Sequence, residues 1–208
     1  MPVKGDPLSK REQEILRRWI LGGAPMDDGK AFGAGAAGDG DFVEDKVAEG
    51  MNPANAALLE NLRGKGVIVR PLSANGALLD VDYSHAEINA SEYNFAELEP
   101  IAQNIFELDL TKAKISDADL AHIAKLTNLN KLELNRTSIG DAGLAHLAEL
   151  GNLQQLNLYG TQVTDAGIVQ LKTLKNLRRL FLYNTKVTAA GVDALQEFLP
   201  DAEVNIGN

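Results

Sequence analysis

The sequence predicts an α/β fold, a right-handed solenoid with parallel strands on its concave side and helices on its convex side. Three observations predict it. Apolar residues recur every 24 positions through the C-terminal half of the 208-residue chain. Inside each unit a short stretch of period two gives way to one that advances by threes, so a strand is followed by a short helix. The composition, 45% hydrophobic and 24% charged, is that of an ordinary globular chain, which excludes wholesale disorder and a collagen-like fibre.

The repeat is read from its apolar register. Ile105, Leu129, Leu153 and Leu177 open four units, followed by Leu108, Leu132, Leu156 and Leu180, then Leu110, Leu134, Leu158 and Leu182, then Ile115, Ile139, Val163 and Val187. The second half of each unit supplies Leu120, Leu144, Ile168 and Val192, then Ile123, Leu147, Leu171 and Leu195, then Leu126, Leu150, Leu174 and Phe198. A single unit cannot bury enough surface to offset the entropy of ordering itself, so the units must stack and share one interior.

Three polar ladders run beside the apolar one. Thr137, Thr161 and Thr185 follow each strand, where a buried hydroxyl can satisfy backbone groups at the turn. Ala113 takes that place in the first unit, which is therefore expected to be less regular. Ser116, Thr164 and Thr188, with Gly140, precede the helices as N-caps, and Asp117, Asp141 and Asp165 favour the positive helix ends. Gly143, Gly167 and Gly191 sit where close packing disfavours a side chain.

Upstream, Leu78–Tyr83 reads as one more strand, followed by a divergent crossover through Ile88, Phe95, Leu98 and Ile101. Val67–Arg70 reads as a strand ended by Pro71. Ala56–Leu62 reads as an amphipathic helix, starting as early as Val43 and stopped by Gly64 and Gly66. Residues 42–77 are assigned to an N-terminal cap of helix plus strand, and 78–208 to the repeats, closed by a last strand within Leu199–Ile206. Residues 1–25 form a separate helix, opened by the capping box Ser9-Lys10-Arg11-Glu12 and carrying Ile15, Leu16, Trp19 and Ile20 on one face. Residues 26–41, rich in Gly and Ala, read as a linker.

The 24-residue unit, with its Thr-x-Val-Thr-Asp-Ala-Gly-Leu core (Thr161–Ile168 in the third unit), resembles leucine-rich repeats over residues 78–208. A second resemblance lies in Met1-Pro2-Val3-Lys4-Gly5-Asp6-Pro7-Leu8-Ser9, Trp19-Ile20 and Gly23-Ala24-Pro25. These are similar to the tail of the planctomycete-type cytochrome c domain over about 25 residues. That resemblance implies a longer bacterial envelope protein in the periplasm or cell envelope, a haem c cofactor in that parent, and Met1 as its axial haem ligand. The chain departs from the family in having no Cys-x-x-Cys-His, so no cofactor is expected in this chain itself.

Catalytic constellations are poor. Ser84-His85 lacks an identifiable acid, and Asp80 and Asp82 alternate on a strand as solvent-facing groups. His122 and His146, one repeat apart with Glu149 nearby, read as exposed helix histidines rather than metal ligands. No metal site and no enzyme activity are expected. The net charge of −9 argues against nucleic acid and acidic membranes, no run reaches the roughly 20 apolar residues of a membrane helix, and the chain is expected to be soluble.

The surface with binding character is the concave strand face. Its outward residues run Glu107, Asp109, Thr111, then Lys131, Glu133, Asn135, then Gln155, Asn157, Tyr159, then Arg179, Phe181, Tyr183. Acids gather early and aromatics late. Tyr159, Phe181 and Tyr183, with Arg179, Asn157 and Glu133, form the candidate site for a protein or peptide ligand, because aromatic and Arg side chains are enriched at interfaces. The expected function is a non-enzymatic binding module. The alternative is part of a haem-dependent electron-transfer protein whose haem-attachment region lies outside this chain. The sequence does not specify an oligomeric state.

Overall fold

A computed structural model of the chain describes residues 47–86 and 93–207. The N-terminal helix, the linker, Met1, Trp19, Val43 and Ile88 lie outside the described residues. Seven strands form one sheet in chain order: β1 (Ile68–Pro71), β2 (Leu79–Asp82), β3 (Ile105–Asp109), β4 (Lys131–Glu133), β5 (Gln155–Asn157), β6 (Arg179–Phe181) and β7 (Glu203–Asn205). From β2 onward every pair is parallel, and Leu108, Leu132, Leu156, Leu180 and Val204 stand side by side. That is the register of the 24-residue repeat. Each parallel pair needs a crossover, and the crossovers supply the second layer.

The crossovers are compact helices: α2 (Leu120–Ile123), α3 (Asp141–Leu147), α4 (Asp165–Ile168) and α5 (Ala189–Gln196), preceded in the cap by α1 (Ala56–Gly64). The β2–β3 crossover ends in a 3-10 segment, Phe95–Asn104, broken at Ile101 with Pro100 inside it. Consecutive helices pack on one another while the strands pair, and the aliphatic ladder between the layers is buried except at its last unit, where Val187 is half-buried; Leu132, Leu156 and Leu180 are at 0% exposure. It is one continuous interior from Leu62 to Ala202.

The cap differs from the repeats in direction. β1 runs antiparallel to β2, with Arg70 opposite Asp80, and Pro71 is its last residue rather than a stop before it. Arg63 on α1 donates to the Val69 carbonyl, and α1 buries Leu62 against the first coil. Asn55 caps α1 through the Ala57 N–H, and the helix runs through Gly64 to a C-cap at Lys65.

Two expectations need correction. Phe198 does not join the core: it is 45% exposed, and Leu199 is buried in its place, so the register at the end of α5 is shifted by one residue from that of the earlier units. The turn at Ala113 is as regular as its successors. Lys112, Arg136 and Asn184 hold φ of 60°, 58° and 56° at equivalent positions, and Gly160 completes the series at 70°. The Ala113 N–H bonds the Leu110 carbonyl, so the backbone closes the turn without a threonine hydroxyl.

The other ladders hold and gain a cause. Thr137, Thr161 and Thr185 each donate a hydroxyl to the carbonyl three residues back, at 2.6–2.7 Å. The aspartates do more than face a helix end. Asp117 accepts from the Gly140 N–H, Asp141 from the N–H and hydroxyl of Thr164, and Asp165 from the N–H and hydroxyl of Thr188. Each carboxylate therefore staples its coil to the N-cap of the next. Gly143, Gly167 and Gly191 are glycine because a Cβ there would strike the preceding coil's Asp117, Asp141 or Asp165 carboxylate.

Candidate binding face

The outward residues of the strands fall into two separate regions. The first is a charged depression lined by Arg70, Asp80, Asp82, Glu107, Asp109, Lys131 and Glu133. Arg70 Nη1 lies 2.8 Å from Asp80 and its Nη2 3.5 Å from Asp82, while Lys131 lies 3.7 Å from both Glu107 and Glu133. Asp82 is buried, not solvent-facing as its alternation suggests, because the antiparallel β1 brings Arg70 over it. Burial pushes the Asp80 carboxyl above the usual carboxylate range, against the pull of Arg70.

The second region is aromatic. Tyr159 and Tyr183 stack at 5.5 Å between centroids and 10° between planes. The Arg136 guanidinium lies over the other face of Tyr159, 5.2 Å from its centroid, and Nη2 donates to its hydroxyl. Gly207, at φ +74°, packs directly against the Tyr183 ring. The result is a four-layer stack, Arg136–Tyr159–Tyr183–Gly207, across successive coils. Beside it lies an open depression of about 350 Å³ lined by Asn157, Tyr159, Phe181, Tyr183 and Asn205, with Tyr183 52% exposed.

Of the six residues predicted for the site, Tyr159, Phe181, Tyr183 and Asn157 come together. Glu133 belongs to the charged depression, where Gln155 donates to it at 3.0 Å. Arg179 is exposed at the start of β6, outside the residues lining the aromatic depression. Asn157 is partly committed, since its Oδ1 accepts the Tyr159 N–H. Arg136 and Asn205 were missed. Arg136 follows the outward register by one residue, and its left-handed backbone is what turns it onto Tyr159.

Ser84-His85 does have an acid beside it. Asp82 Oδ1 accepts from the Ser84 hydroxyl at 2.6 Å, and Ser84 Oγ lies 2.8 Å from His85 Nδ1. The order is the wrong one for hydrolysis: the serine proton is held by the carboxylate, which leaves the imidazole no proton to take. His122 faces Glu99 at 2.9 Å, which also accepts from Lys125, and His146 is exposed. No group of three metal-ligating side chains occurs among the described residues, and no helix there is long and apolar enough to cross a membrane.

No protein-family model and no curated protein sequence matches the chain. Solved structures do. A leucine-rich-repeat protein of Leptospira interrogans is similar at 25% identity and TM-score 0.43, over 53% of this chain and 27% of that one. The internalin inlF of Listeria monocytogenes is similar at 24% identity and TM-score 0.43, over 55% and 33%. The leucine-rich-repeat ectodomain of the Arabidopsis thaliana receptor kinase SOBIR1 is similar at 15% identity and TM-score 0.40, over 76% and 95%. The match spans no more than 33% of the length of the first two.

Proposed function

We propose that the chain is a non-enzymatic leucine-rich-repeat module that binds a protein or peptide on its strand face, with the aromatic depression as anchor. The observation that carries this is Tyr183, half exposed yet held between the Tyr159 ring and the Gly207 backbone, with Phe181 beside it. A stacked ring has already lost its rotamer freedom, so a ligand side chain that covers it meets little ordering cost. Large, fixed aromatic surfaces of this kind are where interfaces concentrate their affinity.

The test is selection of binders from a displayed random peptide library on immobilised protein. Phe181→Ala and Tyr183→Ala should each weaken the selected peptides by tenfold or more, about 1.4 kcal/mol. Arg178→Ala, whose ion pair with Asp201 is solvent-exposed, should leave them unchanged. Peptides indifferent to Phe181 and Tyr183 would refute the proposal.

The placement of this module in a longer envelope protein with a cytochrome c domain, a haem c cofactor and Met1 as axial ligand is a separate proposal. It is supported by the resemblance of residues 1–25 alone. Reading the coding DNA upstream of Met1 tests it, and an in-frame stop codon there would overturn it.

A further inference from the structure

The two edges of the sheet are finished differently. At β1 the Val69 carbonyl accepts from Arg63, and Pro71 offers no N–H. At β7 nothing comparable is present among the described residues. Toward β6, the Glu203 N–H donates to the Arg178 carbonyl and the Asn205 carbonyl accepts from the Leu182 N–H. Hydrogen-bonding direction alternates along a strand, so the Val204 N–H and C=O point away from the sheet. The repeat register adds two more groups: Ala202 C=O corresponds to Arg178 C=O, and Ile206 N–H corresponds to Leu182 N–H, both of which bond the following coil in the preceding unit. The outward set is therefore Ala202 C=O, Val204 N–H, Val204 C=O and Ile206 N–H.

That set is its own complement under a two-fold axis through Val204, normal to the sheet. Val204 would exchange both bonds with the partner's Val204, and each Ile206 N–H would meet the partner's Ala202 C=O. The side chains agree. On the core side Val204 faces the partner's Val204, and Ile206, 37% exposed, faces the partner's Ala202. On the outer side Glu203 faces the partner's Asn205, so no like charges are opposed. A one-residue slip would place core-side residues against outer-side ones, so this register is specified.

We propose that a second copy of this chain pairs antiparallel along β7, joining two seven-stranded sheets into one continuous sheet. Asn205 lines the aromatic depression, and the pairing brings the partner's Glu203 beside it. The two depressions thus flank the axis, and each gains a carboxylate from the other copy.

The full chain, 22.3 kDa, is examined by light scattering across a concentration series and by amide hydrogen exchange resolved to single residues. A concentration-dependent species of twice that mass is expected, in which the Val204 and Ile206 amides become protected as concentration rises. The Glu203 amide, bonded within the monomer, should be protected throughout. Val204→Pro removes an outward N–H, a change that edge strands tolerate, along with the valine side chain packed against the core, and should weaken dimerisation by about tenfold or more. A chain that stays monomeric overturns the proposal, as does a dimer whose Val204 and Ile206 amides exchange as in the monomer or a folded Val204→Pro protein that dimerises unchanged. If Val204→Pro fails to fold, the exchange pattern of the unsubstituted chain decides. A chain that dimerises in this way but yields only peptides indifferent to Phe181 and Tyr183 would overturn the binding face and leave the pairing standing.

Discussion

Gly167→Ala should destabilise the protein, although the same change inside a helix ordinarily stabilises it by up to about 1 kcal/mol. Gly167 lies in α4 and is buried. Its new Cβ would meet the Asp141 carboxylate, with Asp141 Cγ at 2.7 Å and Cα at 3.0 Å. The carboxylate can escape only by abandoning the Thr164 N–H and hydroxyl, at 2.7 and 2.6 Å. Charge-assisted bonds of this kind contribute roughly 1.5–3 kcal/mol each, and overpacking costs about 1–3 kcal/mol. Set against the helix gain and partial relaxation, the net loss should be about 2–4 kcal/mol. Urea unfolding followed by circular dichroism measures it. Gly64→Ala, in α1 with nothing within 4 Å of its added Cβ, is the control and should be neutral or slightly stabilising. The cause is isolated by a double-mutant cycle: Asp141→Ala should absorb most of the Gly167→Ala cost, leaving only the backbone contact, so the two changes are strongly non-additive. A Gly167→Ala protein as stable as the parent, or additive losses, would refute the staple.

Thr161→Val removes a buried hydroxyl that donates to the Leu158 carbonyl at 2.7 Å and should cost about 1 kcal/mol in the same assay. Tyr83→Phe should raise stability by about 1 kcal/mol, because the Tyr83 hydroxyl is buried without a hydrogen-bond partner among the described residues. Acid should weaken the fold through two carboxylates. The N–H and then the hydroxyl of Thr188 hold Asp165 below its usual range, and Lys125 and then His122 do the same for Glu99. A lowered folded pKa gives stability that is present above the unfolded value and lost as pH falls through the folded one. Unfolding midpoints should therefore drop across the carboxylate range, less steeply in Thr188→Val; parallel curves would rule out the Asp165 contribution.

The regular coils were legible because one side-chain period maps onto one structural period. Leu132, Leu156 and Leu180 each sit at the same place in a strand, so their spacing states their register directly. Polar ladders were legible in position but not in partner. Asp141 and Thr164 are 23 residues apart, and nothing local indicates that a carboxylate reaches forward to the next coil rather than back to its own helix. The asparagines Asn104, Asn128, Asn152 and Asn176 repeat at the same interval and went unread. Asn128, Asn152 and Asn176 each donate to a carbonyl one coil back, at 2.7–2.9 Å. The cap was the least legible part. Strand direction leaves no mark in the sequence of β1, so the burial of Asp82 beneath Arg70 had no signal.

The aromatic patch is legible for a different reason, and the contrast bears on function. At the last residue of each strand from β2 to β7 the register runs Asp82, Asp109, Glu133, Asn157, Phe181 and Asn205. Asp82, Asp109, Asn157 and Asn205 each accept the N–H two residues on, at 2.8–3.0 Å, which fastens the chain as it leaves the sheet. Glutamate has one methylene too many for that tight ring, and phenylalanine has no acceptor. A solenoid that needed only to fold would keep the short acceptor at every rung, since it is a local stabilising bond. The two rungs that give it up are those that supply Glu133 to the charged depression and Phe181 to the aromatic one. Phe181→Asn should therefore restore the turn bond and raise the unfolding midpoint while weakening peptide binding. The same substitution would lower stability if Phe181 served only to cover the end of the solenoid, so the sign of the midpoint shift separates a binding residue from a packing one.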